Sequence, residues 1–234
     1  MLLSEIQNHP MSIKDNIKTF NDKLKEYRCL LVAVSKTKPN EDILLAYEAG
    51  QFDFGENKVQ ELSQKAAVLP KEIHWHMIGH LQRNKVKDIA PFVHLIHAVD
   101  SMRLLREINK QALNNERVIK CLLQVHIADE STKFGLSPSE LKELLESEEL
   151  KLFVNINIIG FMGMATYTTD SAQIKGEFEH INSLLVEHGE KSYPDNVNLK
   201  ELSIGMSGDY EIALQQGSTM IRVGSAIFGE RNYY

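Results

Sequence analysis

A lysine, an arginine and a few glycines and serines stand where apolar runs of this chain end, and those are the residues positioned for chemistry. Lys36 follows the run Leu30–Val34 in the stretch CLLVAVSKTKP. Five apolar residues in succession read as a strand buried on both faces, and Pro39 marks the turn beyond it. Alternate side chains of a strand share a face, so Lys36 points the same way as Val32 and Val34. An amine enclosed on such a face loses its proton more readily, because desolvation disfavours the ammonium form. Imine formation with an aldehyde needs that neutral amine. The plainer reading is a strand-end lysine whose head reaches water.

The elements that must position this lysine follow a regular alternation. Apolar residues at Ile13, Ile17, Phe20 and Leu24 make one helical stripe over residues 11–27, ahead of the first strand. After Lys36, residues 39–50 predict a helix with Asn40 as N-cap and Gly50 just past its end. Further strands are predicted over residues 51–56, 73–80, 93–100, 118–127, 155–164, 201–206 and 220–228. Helical patterns separate them at 57–68, 81–90, 101–113, after the capping box that Ser137 and Glu140 form around Pro138, from Ile174 to Gly189, and at 207–217. Eight strands alternating with seven crossover helices predict parallel pairing, and eight of them in about 200 residues predict an α/β fold of the single (β/α)8 TIM-barrel kind. The extra N-terminal helix is expected to fill the slot of the missing eighth one.

Composition narrows the partners. The chain has 234 residues, 26 Lys+Arg against 32 Asp+Glu, and a net charge of −6, so it carries no basic footprint for nucleic acid or an anionic membrane. A small molecule is the expected ligand. Cys29 and Cys121 lie inside apolar runs and are expected as reduced, packed thiols of a reducing compartment. The opening residues lack a leader-like pattern and no stretch reaches the ~20 apolar residues of a membrane span, so a cytoplasmic protein is expected. No linker or repeat divides residues 1–234, which are expected to form one domain.

In a barrel of this kind the working face is the carboxyl end of the strands, and phosphates commonly sit at the loops after strands seven and eight. Here those ends read Gly205-Met206-Ser207-Gly208-Asp209 and Arg222-Val223-Gly224-Ser225. Ser207 is expected at a helix start, where unpaired N–H groups favour an anion. Gly224 lets the backbone approach a ligand and Ser225 adds a hydroxyl. Arg222 shares a strand face with Met220 and Gly224, and strand eight closes against strand one, which sets it beside Lys36's strand. A guanidinium stays protonated and can donate to an unprotonated ring nitrogen. Amine, arginine and phosphate cradle on neighbouring strands match pyridoxal 5′-phosphate: the aldehyde on Lys36, the ring nitrogen on Arg222, the phosphate on Ser207, Gly224 and Ser225. An ion pair at the mouth for Arg222 and tight packing for the glycines are the bland alternatives.

The segments AVSKTKP, FGENKVQE, WHMIGHLQRNK, GFMGMAT and SIGMSGDYEIALQQGSTMIRVGSAIFGER resemble the pyridoxal phosphate homeostasis proteins, the YggS/PROSC group related to the barrel domain of alanine racemase. The resemblance spans Leu31 to Arg231. It implies the fold-type III barrel with the cofactor as an imine on Lys36, Arg222 at the pyridine nitrogen, and Ser207, Gly224 and Ser225 at the phosphate. It also implies Asn57, in FGEN, as a cofactor contact. One departure is Gly160-Phe161-Met162-Gly163, where a GLM-type sequence is expected.

The other candidates carry less. His74 and His76 share a strand face, but no third ligand is apparent and zinc sites need three or four, so no metal is expected. His94 and His97, three apart, are expected on opposite faces. His80 is a candidate for the mouth, and Lys133 and Gly135 for a substrate carboxylate. A racemase needs a second acid/base facing the lysine, and in alanine racemase a tyrosine from a further β-domain serves; no such domain is expected here. Tyr167, Tyr193, Tyr233 and Tyr234 have no sequence reason to stand opposite Lys36. A non-catalytic carrier that supplies cofactor to apo-enzymes is therefore expected, with no catalytic residue assigned. An amino-acid racemase of the alanine racemase type is the alternative, and a barrel enzyme acting on a phosphorylated sugar a third reading. No heptad or exposed apolar stripe calls for a dimer, so a monomer is expected.

Overall fold

The computed structural model describes residues 12–128 and 134–230; Lys133, Arg231, Tyr233 and Tyr234 lie outside them. Eight parallel strands close into a barrel in chain order: β1 (Leu30–Val34), β2 (Asp53–Glu56), β3 (His74–Met77), β4 (Leu95–Val99), β5 (Ile119–Gln124), β6 (Ile156–Met162), β7 (Val197–Ser203) and β8 (Met220–Val223). The (β/α)8 expectation is met. Between successive strands run α2 (Asn40–Glu48), α3 (Val59–Val68), α4 (Val86–Ile89, behind a 3-10 turn), α5 (Met102–Asn114), α6 (Pro138–Leu145), α7 (Ser171–Gly189) and α8 (Tyr210–Gln215), with α1 (Ile13–Lys25) in front and α9 (Ser225–Phe228) behind.

Helix α1 occupies the expected slot. Its Phe20 meets Tyr210 of α8 edge-on at 5.2 Å, its Lys14 pairs with Glu48 of α2, and its Asn16 donates to the Ile227 carbonyl. Its buried stripe is Ile17, Phe20 and Leu24, and Ser12 caps it. The capping box at Ser137 and Glu140 forms as read.

Boundaries moved where backbone geometry overrode the apolar pattern. Asn40 is the first residue of α2 rather than its cap, because Pro39 already holds the extended cap geometry. Strand β7 spans Val197–Ser203 instead of 201–206, since Gly205 turns the chain with φ +93. Strand β8 stops at Val223. Ile227 and Phe228 donate their N–H groups to the Gly224 carbonyl, so Ser225–Phe228 coil into a helical turn that an apolar run cannot distinguish from strand. Helix α8 begins at Tyr210, which leaves Ser207 on the turn before it.

The main core lies between sheet and helices, with Leu31, Ala33, Phe54, Leu105, Phe178 and Ile221 among its residues. A smaller cluster, Leu95, Ala98, Leu122, Met162 and Met220, fills part of the barrel interior. Gly160 is required by close approach: a Cβ there would stand 1.8 Å from the Glu201 carbonyl oxygen, at the shift in register where β6 meets β7.

Candidate functional site

Lys36 lies two residues past β1, half-buried, on a turn rather than on the strand itself. The turn is unusual. Thr37 has φ +64, a left-handed conformation that a β-branched residue rarely adopts. Surrounding groups over-determine it. Thr37 donates its N–H to Glu61 Oε1 at 2.6 Å and Lys38 donates to the Ser35 carbonyl at 3.0 Å. Lys65 of α3, nearly fully buried, donates to the Ser35 carbonyl (2.8 Å), to Glu56 Oε1 (2.8 Å) and to Glu61 Oε1 (2.7 Å). Ser35 adds its hydroxyl to Glu56 Oε1 at 2.6 Å. Burial pushes the Glu56 carboxyl up, opposed by Lys65 and Ser35. This clamp joins β1, β2 and α3 under the turn that carries Lys36.

Arg222 is placed by pairing. Strands β1 and β8 run in register with Val32 opposite Arg222 and Ala33 opposite Val223. The Arg222 side chain is 4% exposed and stays inside the barrel. It donates through Nη1 to the Ser203 carbonyl (2.7 Å) and hydroxyl (2.6 Å), and through Nη2 to the Gly163 carbonyl (3.0 Å). A guanidinium has five N–H groups, so two remain for a ligand. Burial pushes Arg222 down to about 10, partly offset by Asp209, which still leaves it charged at neutral pH.

The phosphate candidates meet at the same end. Ser207 Oγ accepts the Gly224 N–H at 3.3 Å. Gly224 packs against β1, where an added Cβ would lie 3.2 Å from the Val34 carbonyl oxygen, two residues before Lys36. Ser225, exposed, opens the α9 turn. Gly205 is irreplaceable for a different reason: its φ is +93 and a Cβ would meet Ala213 Cβ at 2.6 Å, so the Ser207 turn needs glycine there. Lys36, Arg222, Ser207, Gly224 and Ser225 therefore gather at the carboxyl ends of β1, β7 and β8. Asn57 sits beyond β2, half-buried, with its backbone against Gly79.

The other candidates engage other partners. His80 follows the carboxyl end of β3 and lines one cavity with Asn57, but it stacks on Phe134 at 4.3 Å and lies 3.4 Å from Asp100. Tyr167 is 97% exposed, and Tyr193 shares a 2.6 Å hydrogen bond with His188. Cys29 and Cys121 are free and buried, with both thiols pushed up by burial, Cys29 to about 11.

The histidines read differently in three dimensions. His74 and His76 share a face as expected, and both reach Asp53 Oδ1, at 3.2 and 3.0 Å. A set of three donors does exist, without His76: Asp53, His74 and His94 bring ligand atoms within 4.8 Å of one another. The rings of His74 and His94 are stacked at 4.3 Å with a 21° tilt, however, so their in-plane lone pairs run side by side instead of converging on one ion. His94 is pushed down to about 4 by burial, then by His76, His74 and Lys120. His97, expected on the face opposite His94, instead meets His76 as His94 does, across the register shift in β4, and with Ser203, which the sequence did not single out, it is fully buried inside the barrel. Alternation in HWH and LIHAV carried the signal, since a polar residue on the inward face of a buried strand must find a partner.

A family described as the alanine racemase N-terminal domain matches residues 9–232. A curated relative, the pyridoxal phosphate homeostasis protein of Aquifex aeolicus, is 40% identical over 205 residues, 87% of each chain. The chain belongs to the pyridoxal phosphate homeostasis protein family. Among solved structures, PipY of Synechococcus elongatus with PLP bound is 33% identical, with TM-score 0.83 over 93% of this chain and 100% of that one. Alanine racemase from Bartonella henselae, at 14% identity and TM-score 0.67 over 95% of this chain and 62% of that one, shares the fold.

Proposed function

We propose that this protein binds pyridoxal 5′-phosphate at the carboxyl mouth of the barrel, as an imine on Lys36, and holds and delivers the cofactor without turning over a substrate of its own. The observation that carries the reading is Arg222: a buried, charged guanidinium with two N–H groups left over, on the strand hydrogen-bonded to the one that leads to Lys36. A pyridine nitrogen is an acceptor that such a donor fits. Ser207, Gly224 and Ser225 would hold the phosphate, and Asn57 would contact the cofactor from β2. The name of the Aquifex relative and the cofactor in the PipY structure agree with this reading.

Bound there, the cofactor would supply an electrophilic aldehyde. The protein's own contribution is to orient Lys36 through the Glu56–Lys65–Glu61 clamp and to keep a proton off the ring nitrogen, which weakens the cofactor as an electron sink. Tyr193 is engaged with His188 and does not offer the second acid/base of a racemase.

The absorbance spectrum of the protein as isolated tests the reading. A visible imine band that bleaches with borohydride and is absent in Lys36→Ala is expected. Incubation with L-amino acids in deuterium oxide should give no Cα exchange above that of free cofactor. A colourless wild type that takes up no pyridoxal phosphate overturns cofactor binding, and steady racemisation overturns the carrier role.

A further inference from the structure

A single run of hydrogen bonds crosses the barrel interior from its amino end to Arg222. Asp53, at the first position of β2, accepts from His76 Nε2 at 3.0 Å. His76 Nδ1 lies 2.9 Å from His97 Nε2, and His97 Nδ1 lies 3.0 Å from Ser203 Oγ, which takes the Arg222 donor at 2.6 Å. His76, His97, Ser203 and Arg222 are each at most 4% exposed.

The two ends of the run set the direction of its bonds. The Asp53 carboxylate only accepts, so His76 donates from Nε2, and a neutral ring there presents a bare Nδ1 that takes the His97 Nε2–H. Neutral His97 is then bare on Nδ1 and accepts the Ser203 proton, and the Ser203 oxygen keeps its lone pairs for Arg222, which only donates. His97 is held neutral by burial first, then by His76, Arg222 and His94. Asp53 is held as a carboxylate by its two histidine partners in spite of burial. A cation lies at one end, an anion at the other, and each bond polarises the next. With His97 flipped or absent, the Ser203 hydroxyl would be free to rotate, and Arg222 would lose a defined acceptor.

We infer that His97, backed by His76 and Asp53, is a positioning residue for Arg222: it locks the Ser203 hydroxyl as an acceptor and so fixes where the guanidinium presents its two remaining N–H groups to the cofactor ring. The inference rests on the cofactor reading above for its consequence, but not for the tautomers it requires. The apolar cluster that fills the rest of the interior offers Arg222 no such acceptor.

Two measurements test it. In the cofactor-free protein, ¹⁵N spectra of histidine-labelled chain should show both His76 and His97 protonated on Nε2 and bare on Nδ1. A proton on His97 Nδ1 overturns the proposal whatever the protein binds. The second measurement uses pyridoxal phosphate itself, through its affinity and the pH midpoint of its visible band. His97→Phe, which keeps the shape and removes both bonds, should bind at least about tenfold more weakly, a loss of about 1.4 kcal/mol, with a displaced midpoint. His97→Gln should restore both, because one amide can accept from Ser203 and donate to His76 in the original sense. A folded His97→Phe with unchanged affinity and midpoint overturns the proposal. Should that variant not fold, Asp53→Asn at the rim is expected to mix the His76 tautomers and displace the midpoint in the same direction, and no change in either counts against it. A wild type that takes up no cofactor removes the function proposed above, while the tautomer spectrum still decides the run of bonds.

Discussion

The two sides of the barrel sheet are packed by different rules. Outside, toward the helices, the residues at alternate strand positions are mostly apolar: Leu31 and Ala33 on β1, Phe54 on β2, Met77 on β3, Phe161 on β6, Ile221 on β8, with Glu56, held by Lys65 of α3, a buried polar exception. Inside, Leu95, Leu122, Met162 and Met220 share the space with His76, His97, Ser203 and Arg222. The outer layer gains from every methylene it removes from water. The inner polar half gains little, since each buried group only recovers in the fold the hydrogen bonds it gave up in solvent. That half is built from β3, β4, β7 and β8 and ends at Arg222, whose strand pairs with the one leading to Lys36. The contrast says that the outer layer makes the barrel stable and the inner polar half makes it specific.

The comparison breaks first if the outer layer is not the source of stability. Phe178 of α7 is fully buried in the main core, with nothing polar to compensate its loss. Phe178→Ala removes its transfer energy and leaves a cavity, which should cost about 3–5 kcal/mol in urea unfolding. The affinity of the folded fraction for pyridoxal phosphate should stay close to that of the wild type, since Phe178 lies outside the barrel. A cost under about 1 kcal/mol would mean that the helices can collapse onto the sheet without it.

The same division decides what the sequence could convey. Helix stripes such as Ile17, Phe20 and Leu24, and the run Leu30–Val34, repeat with the period of their element, so the outer layer and the strand count were legible. Lys36, Arg222, Ser207 and Gly224 were legible because they stand where runs end. The ends themselves were less so: Thr37 at φ +64 and the helical turn after Gly224 depend on Glu61, Lys65 and the Gly224 carbonyl, which are long-range or backbone partners. Alternation told only that an inward His97 needs a partner, and which partner was illegible for a related reason. Residues 97 and 203 are 106 apart in the chain, and only closure of the barrel brings His97 to Ser203 and Ser203 to Arg222.

A pH series sharpens the contrast next. In the unfolded chain His97 titrates near 6.5, whereas in the fold burial, His76, Arg222 and His94 hold it well below that. Below about pH 6.5 the unfolded chain therefore binds a proton that the native state refuses, and stability falls as pH drops, by up to about 1.4 kcal/mol per unit from this residue. Above about pH 7 the residue contributes no slope. His94, held down at about 4, acts in the same direction and window. Asp53 acts lower, losing its contribution only as the pH falls through the carboxylate range. Urea midpoints at pH 7.5 and 5.5 should thus differ clearly in the wild type and less in His97→Gln. Equal differences would place the acid sensitivity outside the polar half.

The smallest expected effect is also the most discriminating. Burial holds Arg222 at about 10 against an ordinary value of 12.5, which corresponds to a penalty on the order of 3 kcal/mol for keeping it charged at neutral pH. Arg222→Met removes that penalty and supplies apolar volume beside Met220 and Met162. Against it stand acceptors left without their donor, each costing roughly 1–3 kcal/mol. The Ser203 carbonyl keeps the Gly163 N–H at 3.2 Å, so the Gly163 carbonyl and the Ser203 hydroxyl bear most of this loss. The two sides nearly cancel, and the cofactor-free variant should unfold within about 1 kcal/mol of the wild type while binding of pyridoxal phosphate is severely weakened. A loss of several kcal/mol would instead make Arg222 a structural residue on a par with Phe178, and the interior of the barrel would then be held together by the same groups that face the ligand.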